Sequence, residues 1–193
     1  TELLLRIVLE RNIKVTSVTG QDELKNPKVG GRDIILDVHA LDETGEEMDV
    51  EVQTNSKGAH VKRARYHSSM VDSRMLKAGQ DFQEIKDSYV IFIYKHDKFE
   101  KGLPIYHVDR YINELQEPFA DGSHIIYVNG NYKGDDEIGR LMRDFHQVDP
   151  GKMHYSELAR GVSHLKGTGG QENMCEAVQK YAEEYAKEYA KEY

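Results

Sequence analysis

Apolar and polar positions alternate along the first third of the chain in a pattern that predicts three consecutive β-strands. Residues 13–19 combine this alternation with β-branched side chains and are typical of a strand. In residues 32–41 the even positions from 34 to 40 are apolar, which predicts a second strand whose even side faces the core. Residues 47–54 alternate strictly and predict the third strand. Residues 20–31 contain Pro27 and a glycine pair, which predicts a loop between the first two strands.

Helical spacing of apolar residues appears on both sides of these strands. Residues 2–11 predict a short first helix. Small and apolar side chains recur at helical spacing through residues 59–78, and Gly79 suits the end of that helix. Residues 82–86 predict a short helix. Residues 89–94 are apolar or aromatic at every position, which is typical of a central strand buried on both faces.

The remaining chain predicts two short strands, at residues 105–108 and 124–129, followed by helices at residues 135–146 and 155–165. The glycine-rich residues 167–170 predict a flexible break. The sequence ends in a four-residue repeat in which tyrosines recur at i and i+4, a spacing that aligns them on one side of a helix. Its composition favours a solvated helical tail, and the alternative is a helix for docking or self-association.

The composition limits the class of protein. The 193 residues, 38% hydrophobic and 31% charged, suffice for one domain with an appendage and a real core. We therefore predict one domain over residues 1–150 and a helical extension with the tyrosine repeat over residues 151–193. No apolar run approaches the length of a transmembrane helix, and no signal peptide is visible, so we expect a cytoplasmic protein and no membrane partner. The single Cys175 excludes an intramolecular disulfide and a multi-cysteine zinc site.

The acidic balance is uneven along the chain. The net charge is -8, yet residues 57–77 hold six basic residues against one acidic residue, a local charge of +5 that leaves -13 elsewhere. This distribution excludes a uniformly basic coating but permits a local phosphate-binding face. The cations proposed for that face are Lys57, Lys62, Arg63 and Arg65. An ordinary solvated helix face is the alternative explanation.

Candidate chemistry lies in the hairpin formed by the second and third strands. A three-residue loop over residues 43–45 would place Gly45 in the left-handed conformation that such loops favour. The resulting register sets Asp37 opposite Glu51, with Cβ atoms roughly 5 Å apart. Two facing carboxylates repel one another unless a cation compensates, and Mg²⁺ prefers oxygen ligands. Gln53 shares this side and could orient a water or a phosphate oxygen. The alternative is an exposed hairpin face that is merely acidic.

Five segments of the sequence together resemble a known group of proteins. The pieces that carry the resemblance, in chain order, are Ile35-Leu36-Asp37-Val38, Met48-Asp49-Val50-Glu51-Val52-Gln53, Lys62-Arg63-Ala64-Arg65-Tyr66-His67-Ser68-Ser69-Met70-Val71-Asp72-Ser73, Leu76-Lys77-Ala78-Gly79-Gln80-Asp81-Phe82 and Tyr89-Val90-Ile91-Phe92-Ile93. Their order and spacing are similar to the PD-(D/E)xK nuclease superfamily. The closer similarity is to its recombination-promoting nucleases, also called PD-(D/E)xK nuclease family transposases. The tyrosine repeat lies outside the resemblance.

The resemblance implies an α/β fold with a restriction-endonuclease-like αβββαβ core, in which helices flank a mixed sheet. The element order derived from periodicity alone agrees with it. The implied activity is metal-dependent hydrolysis of DNA phosphodiesters, with Mg²⁺ or Mn²⁺ held by Asp37 and Glu51. Gln53 would occupy the position where the superfamily usually has lysine, a variant that is usual in this subgroup. The group commonly has a tyrosine where this chain has His67, which puts the usual role of that position in doubt.

Three further residues are candidates for a supporting role. Glu10 could be the acidic residue that the superfamily carries on its first helix, although Glu2 is an equal candidate. His39 shares the predicted side of Asp37, and a solvent-facing histidine is the alternative. Tyr66 could stack or hydrogen-bond at the site, or it could be a tyrosine at the edge of the core.

The leading hypothesis is a metal-dependent DNA endonuclease with DNA as its partner. A catalytically inactive nuclease-like module that binds DNA or protein is the alternative from another class, because Gln53 replaces lysine and His67 departs from the group pattern. A scaffold that assembles through the tyrosine-repeat helix is the third. A homodimer stays open under each of these hypotheses.

Overall fold

A six-stranded mixed sheet forms the centre of the protein in a computed structural model that describes residues 1–168 and 173–189. The strands are β1 (Val15–Leu24), β2 (Ile34–Asp42), β3 (Glu47–Gln53), β4 (Ser88–Tyr94), β5 (Ile105–Val108), β6 (Tyr111–Ile112), β7 (Glu117–Pro118) and β8 (Ser123–Asn129). The helices are α1 (Glu2–Leu9), α2 (Val61–Met75), α3 (Glu137–Phe145), α4 (Ser156–Thr168) and α5 (Asn173–Tyr189), with short 3₁₀ turns at Phe82–Glu84 and Pro150–Lys152.

The sheet has the strand order β1-β2-β3-β4-β8-β5. β2 runs antiparallel to both of its neighbours, β1 and β3. β3, β4 and β8 run parallel to one another, and β5 runs antiparallel to β8. The small β6–β7 hairpin is separate from the sheet. From α1 to β4 the element order is α-β-β-β-α-β, so the predicted α/β class, the core order and the central position of β4 are confirmed.

The two faces of the sheet are covered by different helices. On one face, Ile91 and Ile93 of β4 pack in the main hydrophobic cluster with side chains of α1, α3, α4 and α5. On the other face, Val90 and Phe92 pack with Ala64 of α2. The alternation of side chains along β4 therefore separates a large core from a smaller one beneath α2.

The first strand is longer than the sequence pattern predicts. Residues 20–24, assigned to a loop, continue β1 through Leu24, and Gly20, Asp22 and Leu24 are paired with residues of β2. The glycine and the polar residues suggested a loop, but pairing with β2 satisfies their backbone groups and overrides the local preference.

The predicted end of α2 is also wrong by three residues. The helix ends at Met75, and Leu76 is extended. Gly79 does not cap the helix but has a φ of 89° in a turn that the N–H of Gln80 closes by donating to the carbonyl of Lys77 at 3.1 Å. A type II turn requires such a conformation at its third residue, which explains the glycine.

The helix that carries the start of the tyrosine repeat is not a solvated tail. Val178, Tyr181 and Ala182 of α5 are almost fully buried, and Tyr181 stacks edge-on against Phe145 of α3. The predicted break begins late, because Gly167 and Thr168 still belong to α4. The rest of that break and the last tyrosine of the repeat lie outside the described residues.

The other predicted elements are present, with ends shifted by a few residues, and the β6–β7 hairpin was not predicted. Among the described helices, none combines the length and the apolar character that crossing a membrane requires.

Candidate active site

The ladder between β2 and β3 opens where the two candidate carboxylates lie. The paired residues run from Leu41 with Glu47 to Val38 with Val50, and Gly45 in the connecting loop has a φ of 89°, so the predicted hairpin register is confirmed. Beyond this ladder, the N–H of Asp37 donates to Oε1 of Glu51 at 3.0 Å, and the N–H of Val52 donates to Oδ2 of Asp37 at 3.1 Å. The carboxylates therefore hold the two strands together in place of carbonyl oxygens.

The irregularity of the strands around Asp37 creates this arrangement. Leu36 packs in a cluster with Met70 of α2, whereas Val38 packs in the main cluster on the other side of the sheet. In the β1–β2 register Asp37 lies across from Gln21, a non-glycine residue with a φ of 52°. Both strands thus depart from regular pleating at one level of the sheet, although the β1–β2 register does not shift there.

Gln53 spans both carboxylates. Its Nε2 lies 3.2 Å from Oε2 of Glu51 and 3.5 Å from Oδ2 of Asp37. The turn after β3 packs directly onto this side chain, since a Cβ on Gly58 would lie only 1.9 Å from Oε1 of Gln53. Glycine at position 58 therefore allows the turn to pack against Gln53 and to hold its carboxamide next to the carboxylate pair.

The acidic side of β3 is buried, which excludes the alternative of an exposed acidic hairpin face. Asp49 and Glu51 are both 0% exposed. Burial, followed by the negative charges of Asp49 and Asp37, raises the pKa of Glu51 to about 8. Burial and the charge of Asp37 also raise the pKa of Asp49 well above its usual range. The ionised form of each carboxyl group is thus destabilised by burial and by its neighbours, and a bound cation would stabilise it.

A chain of contacts leads from Asp49 to Glu51 through α2. Nδ1 of His67 lies 2.9 Å from Oδ2 of Asp49, and Nε of Arg63 donates to Nε2 of His67 at 3.2 Å. Nη2 of Arg63 then donates to Oε2 of Glu51 at 2.8 Å. Because Arg63 can only donate, Nε2 of His67 accepts and Nδ1 carries the proton toward Asp49. Burial lowers the pKa of His67, which agrees with a neutral imidazole.

This group of side chains could hold a metal ion. Asp49, Glu51 and His67 each offer one ligand atom, and these atoms lie within 4.8 Å of one another. Oδ1 of Asp49 is buried with no hydrogen-bond partner among the described residues. With Asp37 beside them, the site has three carboxylates, and oxygen-rich sets of this kind suit Mg²⁺ and Mn²⁺. Both ring nitrogens of His67 already have partners, so His67 would have to give up one of them to bind the ion.

A cleft of about 500 Å³ gives access to one side of the carboxylate pair. Asp37 and Gln53 line one wall, and Lys180, Tyr181 and Glu184 of α5 line the opposite wall. The hydroxyl of Thr54, at the end of β3, donates to Oε2 of Glu184 at 2.9 Å and joins the walls. The C-terminal helix is therefore part of the candidate site.

The four cations predicted to contact phosphate do not share one environment. Lys57, Lys62 and Arg65 are exposed, and in the described part of the chain they form no ion pair. Arg63 instead points into the site, where it binds Glu51 and His67. Its position four residues before His67 on α2 places both side chains on one face of the helix.

The three supporting candidates lie outside the cleft. The hydroxyl of Tyr66 donates to the carbonyl of Arg32 at 2.6 Å and so fastens α2 to the β1–β2 loop. His39 lies between Glu47 and Arg74, with Nε2 3.0 Å from Oε2 of Glu47. Glu10 is exposed at the end of α1 in a left-handed conformation. Glu2, its alternative, accepts a hydrogen bond from the N–H of Val15 at 3.1 Å.

Several residues of the site were not predicted from the sequence. Asp49 was assigned to the side of Glu51, but nothing in the pattern showed that this side is buried. His67 drew notice only as a departure from the group pattern. Lys180 and Glu184 had no detectable signal, because they reach the cleft through long-range packing of α5.

Comparison with known proteins agrees with this geometry. The family described as PD-(D/E)XK nuclease family transposase matches residues 1–132, which include the hairpin, α2 and the whole carboxylate cluster. No curated protein and no solved structure matches the chain significantly. The match covers well over half of the sequence, so the chain belongs to the PD-(D/E)XK nuclease family transposases.

Proposed function

We propose that this protein is a metal-dependent DNA endonuclease. The observation that carries the proposal is the Asp37–Glu51 pair, two carboxylates inserted between β2 and β3, of which Asp37 lines an open cleft and Glu51 is buried behind it. Membership of a nuclease family supports DNA as the substrate, and hydrolysis of a phosphodiester is the reaction that such a site suits.

Asp37 and Glu51 are the residues that we propose to hold Mg²⁺ or Mn²⁺. Mg²⁺ usually keeps several waters and binds one or two carboxylates together with substrate phosphate, so it needs an accessible position. Asp37 lines the cleft and provides this access, whereas Asp49 and His67 are closed to water and bound to each other. When bound, the cation neutralises charge on the phosphate and lowers the pKa of the attacking water.

The remaining side chains position these groups. Gln53 cannot act as a base at neutral pH, but its amide donates to both carboxylates and fixes their orientation. Arg63 donates to Glu51 and stabilises its ionised form. Lys57, Lys62 and Arg65 are exposed cations on the turn before α2 and on α2 itself, and we propose that they contact backbone phosphates.

Nicking of supercoiled plasmid DNA with Mg²⁺ or Mn²⁺ tests the proposal. We expect Asp37→Asn and Glu51→Gln each to abolish nicking, because a neutral amide cannot take the place of a charged ligand. Glu47→Gln is the matched control, since Glu47 lies on the same strand but contacts His39 and Arg74 instead of the cluster. Equal nicking by all four proteins, wild type included, would contradict the proposal.

A second candidate function is a nuclease-like module that binds DNA without cleaving it. The observation that favours it is Arg63, whose guanidinium already occupies Oε2 of Glu51 at 2.8 Å, where a metal ion would have to bind. Calorimetric titration with Mg²⁺ separates the two candidates. Metal binding that Asp37→Asn removes supports the nuclease, whereas DNA binding with neither metal binding nor nicking supports the silent module.

A further inference from the structure

The parallel strands beside the candidate site end at one edge of the sheet. Gln53, Tyr94 and Asn129 are paired across β3, β4 and β8 as the last residues of those strands. The N–H of Lys95 donates to the carbonyl of Gln53 at 3.0 Å, and the N–H of Gly130 donates to the carbonyl of Tyr94 at 2.7 Å. The segments that leave β4 and β8 therefore begin beside Gln53, at the edge where ligands of parallel sheets usually bind.

Lysines from three separate elements lie after the strands that end at this edge or beside the cleft. Lys95 directly follows β4, Lys133 follows β8, and Lys180 on α5 lines the same cleft as Asp37. The ammonium of Lys95 lies 5.2 Å from the ring of Tyr185. Because α5 supplies both Lys180 and Tyr185, it lies between the cleft and the segment that leaves β4.

Side chains packed against α5 connect the first two of these lysines. The rings of Tyr185 and His146 stack with centroids 4.0 Å apart. Burial, followed by the positive charges of Lys133 and Lys95, lowers the pKa of His146 to about 4. Both ammonium groups therefore act on one imidazole that touches α5.

Three acidic side chains described in this region have partners within the protein. Glu184 accepts from Thr54, and Asp135 lies 3.3 Å from the guanidinium of Arg143. Asp136 accepts from the N–H of Gly139 at 2.8 Å and caps α3. Lys133 and Lys180, by contrast, are exposed and form no ion pair within the described residues. In a protein of net charge -8, this edge offers a local set of cations to an external anion.

We propose that Lys95, Lys133 and Lys180 form a basic track that binds the phosphate backbone of the DNA strand next to the phosphate at Asp37 and Glu51. The identity of the ligand as DNA rests on the proposed function, whereas the track itself rests on the positions of the three lysines. Lysine contacts to phosphates hold a strand in register without reading its sequence. Lys180 belongs to a helix beyond the part of the chain that matches the family, so the track uses a residue of the C-terminal region.

Fluorescence anisotropy with a fluorescein-labelled single-stranded 20-mer in EDTA, over a series of salt concentrations, tests the track without cleavage. The variant is the Lys133→Ala/Lys180→Ala double mutant. The matched control is Lys77→Ala/Lys86→Ala, which removes two exposed lysines that precede β4, at the opposite edge of the sheet. We expect the track variant to raise the Kd about tenfold and to reduce the slope of log K against log salt by about 2, while the control keeps the wild-type values.

Two outcomes would overturn the track: wild-type affinity and slope in the track variant, or an equal loss in the control. These outcomes are separable from failure of the proposed function. If the salt dependence of DNA binding requires these lysines but the protein does not nick plasmid DNA, the basic track is supported and the endonuclease proposal is rejected. If nicking requires Asp37 and Glu51 but the track variant binds DNA as the wild type does, the basic track is rejected and the endonuclease proposal is supported.

Discussion

At the scale of single residues, Glu51 connects the two halves of the site. Its Oε1 accepts from the backbone of Asp37, and its Oε2 accepts from Gln53 and Arg63. Burial and two neighbouring carboxylates raise its pKa to about 8, so at neutral pH the side chain is largely protonated before any divalent cation binds. Binding of a cation must then displace a proton.

Metal binding by this protein should consequently depend on pH. Below about pH 8, Glu51 has to lose its proton to become a ligand, so the affinity for Mn²⁺ should rise about tenfold for each pH unit and then level off. Calorimetry in two buffers of different ionisation enthalpy measures the proton released. Glu47→Gln should keep this dependence and Glu51→Gln should lose metal binding; an affinity independent of pH from 6 to 8 would contradict the assignment.

His67 should matter for turnover more than for DNA affinity, because it reaches the site only through Arg63. His67→Asn removes the acceptor for Nε of Arg63 and frees the guanidinium that orients Glu51. We expect kcat for nicking to fall about 10- to 100-fold with an unchanged KM for DNA, as for other residues that position metal ligands. Single-turnover nicking over a range of DNA concentrations measures both quantities.

The control for this prediction is a second buried histidine in a similar setting. His39 also lies between an acidic residue and an arginine, Glu47 and Arg74, but away from the cleft. His39→Asn and His67→Asn should each lower the free energy of unfolding by about 1–3 kcal/mol, since each leaves buried partners unsatisfied. An equal fall of kcat in both variants would show that the effect is only structural.

The sequence was informative about residues wherever local geometry decided their position. The three-residue loop ending in Gly45 determines the hairpin register, and the register determines that Asp37 meets Glu51. The partners of Asp49 and Arg63 depend instead on how closely α2 approaches β3, and no local pattern encodes that distance. The proximity of the candidate ligands was therefore predictable, but the surrounding contacts were not.

At the scale of secondary-structure elements, prediction succeeded for segments with a strong internal period. The strict alternation of β3 and the continuous apolar run of β4 defined both strands within a residue. β1 was underestimated because residues 20–23 are polar or glycine, and residues 20–24 become a strand only by pairing with β2. The same limit applies to α5, whose burial depends on contacts with α3 and the sheet.

The C-terminal helix should contribute strongly to stability. Tyr181 is 1% exposed and packs against Phe145 in the main cluster, so Tyr181→Ala should lower the free energy of unfolding by about 3–5 kcal/mol. Lys187→Ala, an exposed change on the same helix, should alter it by less than about 0.5 kcal/mol. Urea unfolding followed by circular dichroism measures both, and equal stability of the two variants would indicate a solvated tail.

At the scale of the whole molecule, the buried acidic cluster makes the free energy of unfolding depend on the ionisation of Glu51. Between pH 6.5 and about 8, Glu51 keeps its proton in the folded protein but is ionised in the unfolded chain, whose carboxyl groups titrate near 4.5. The folded state then binds more protons, so stability falls as pH rises. His67 and His146 oppose this trend only near pH 6.5, because their pKa values are lowered and both rings are neutral in the folded protein, whereas about half of such rings are protonated in the unfolded chain. This opposing contribution fades as the pH rises toward 8.

The metal-free protein should therefore be less stable at pH 8 than at pH 6.5. Because the pKa of Asp49 is raised as well, one to two protons are involved, and the free energy of unfolding should fall by up to about 1.4 kcal/mol per proton and pH unit, measured by thermal unfolding in EDTA. Glu51→Gln should reduce this dependence, and saturating Mg²⁺ should do the same in the wild type. Glu114→Gln, an exposed change in the β6–β7 loop, should leave it unchanged; a flat profile for the wild type in EDTA would contradict the buried-acid explanation.

The opened ladder between β2 and β3 also has a spectroscopic consequence. The amide protons of Asp37 and Val52 point at carboxylate oxygens and not at carbonyls, so their chemical shifts follow the charge on Glu51 and Asp37. Two backbone signals in a ¹⁵N-correlated NMR spectrum thus act as internal indicators of ionisation inside the site. The protein carries these indicators without any attached label.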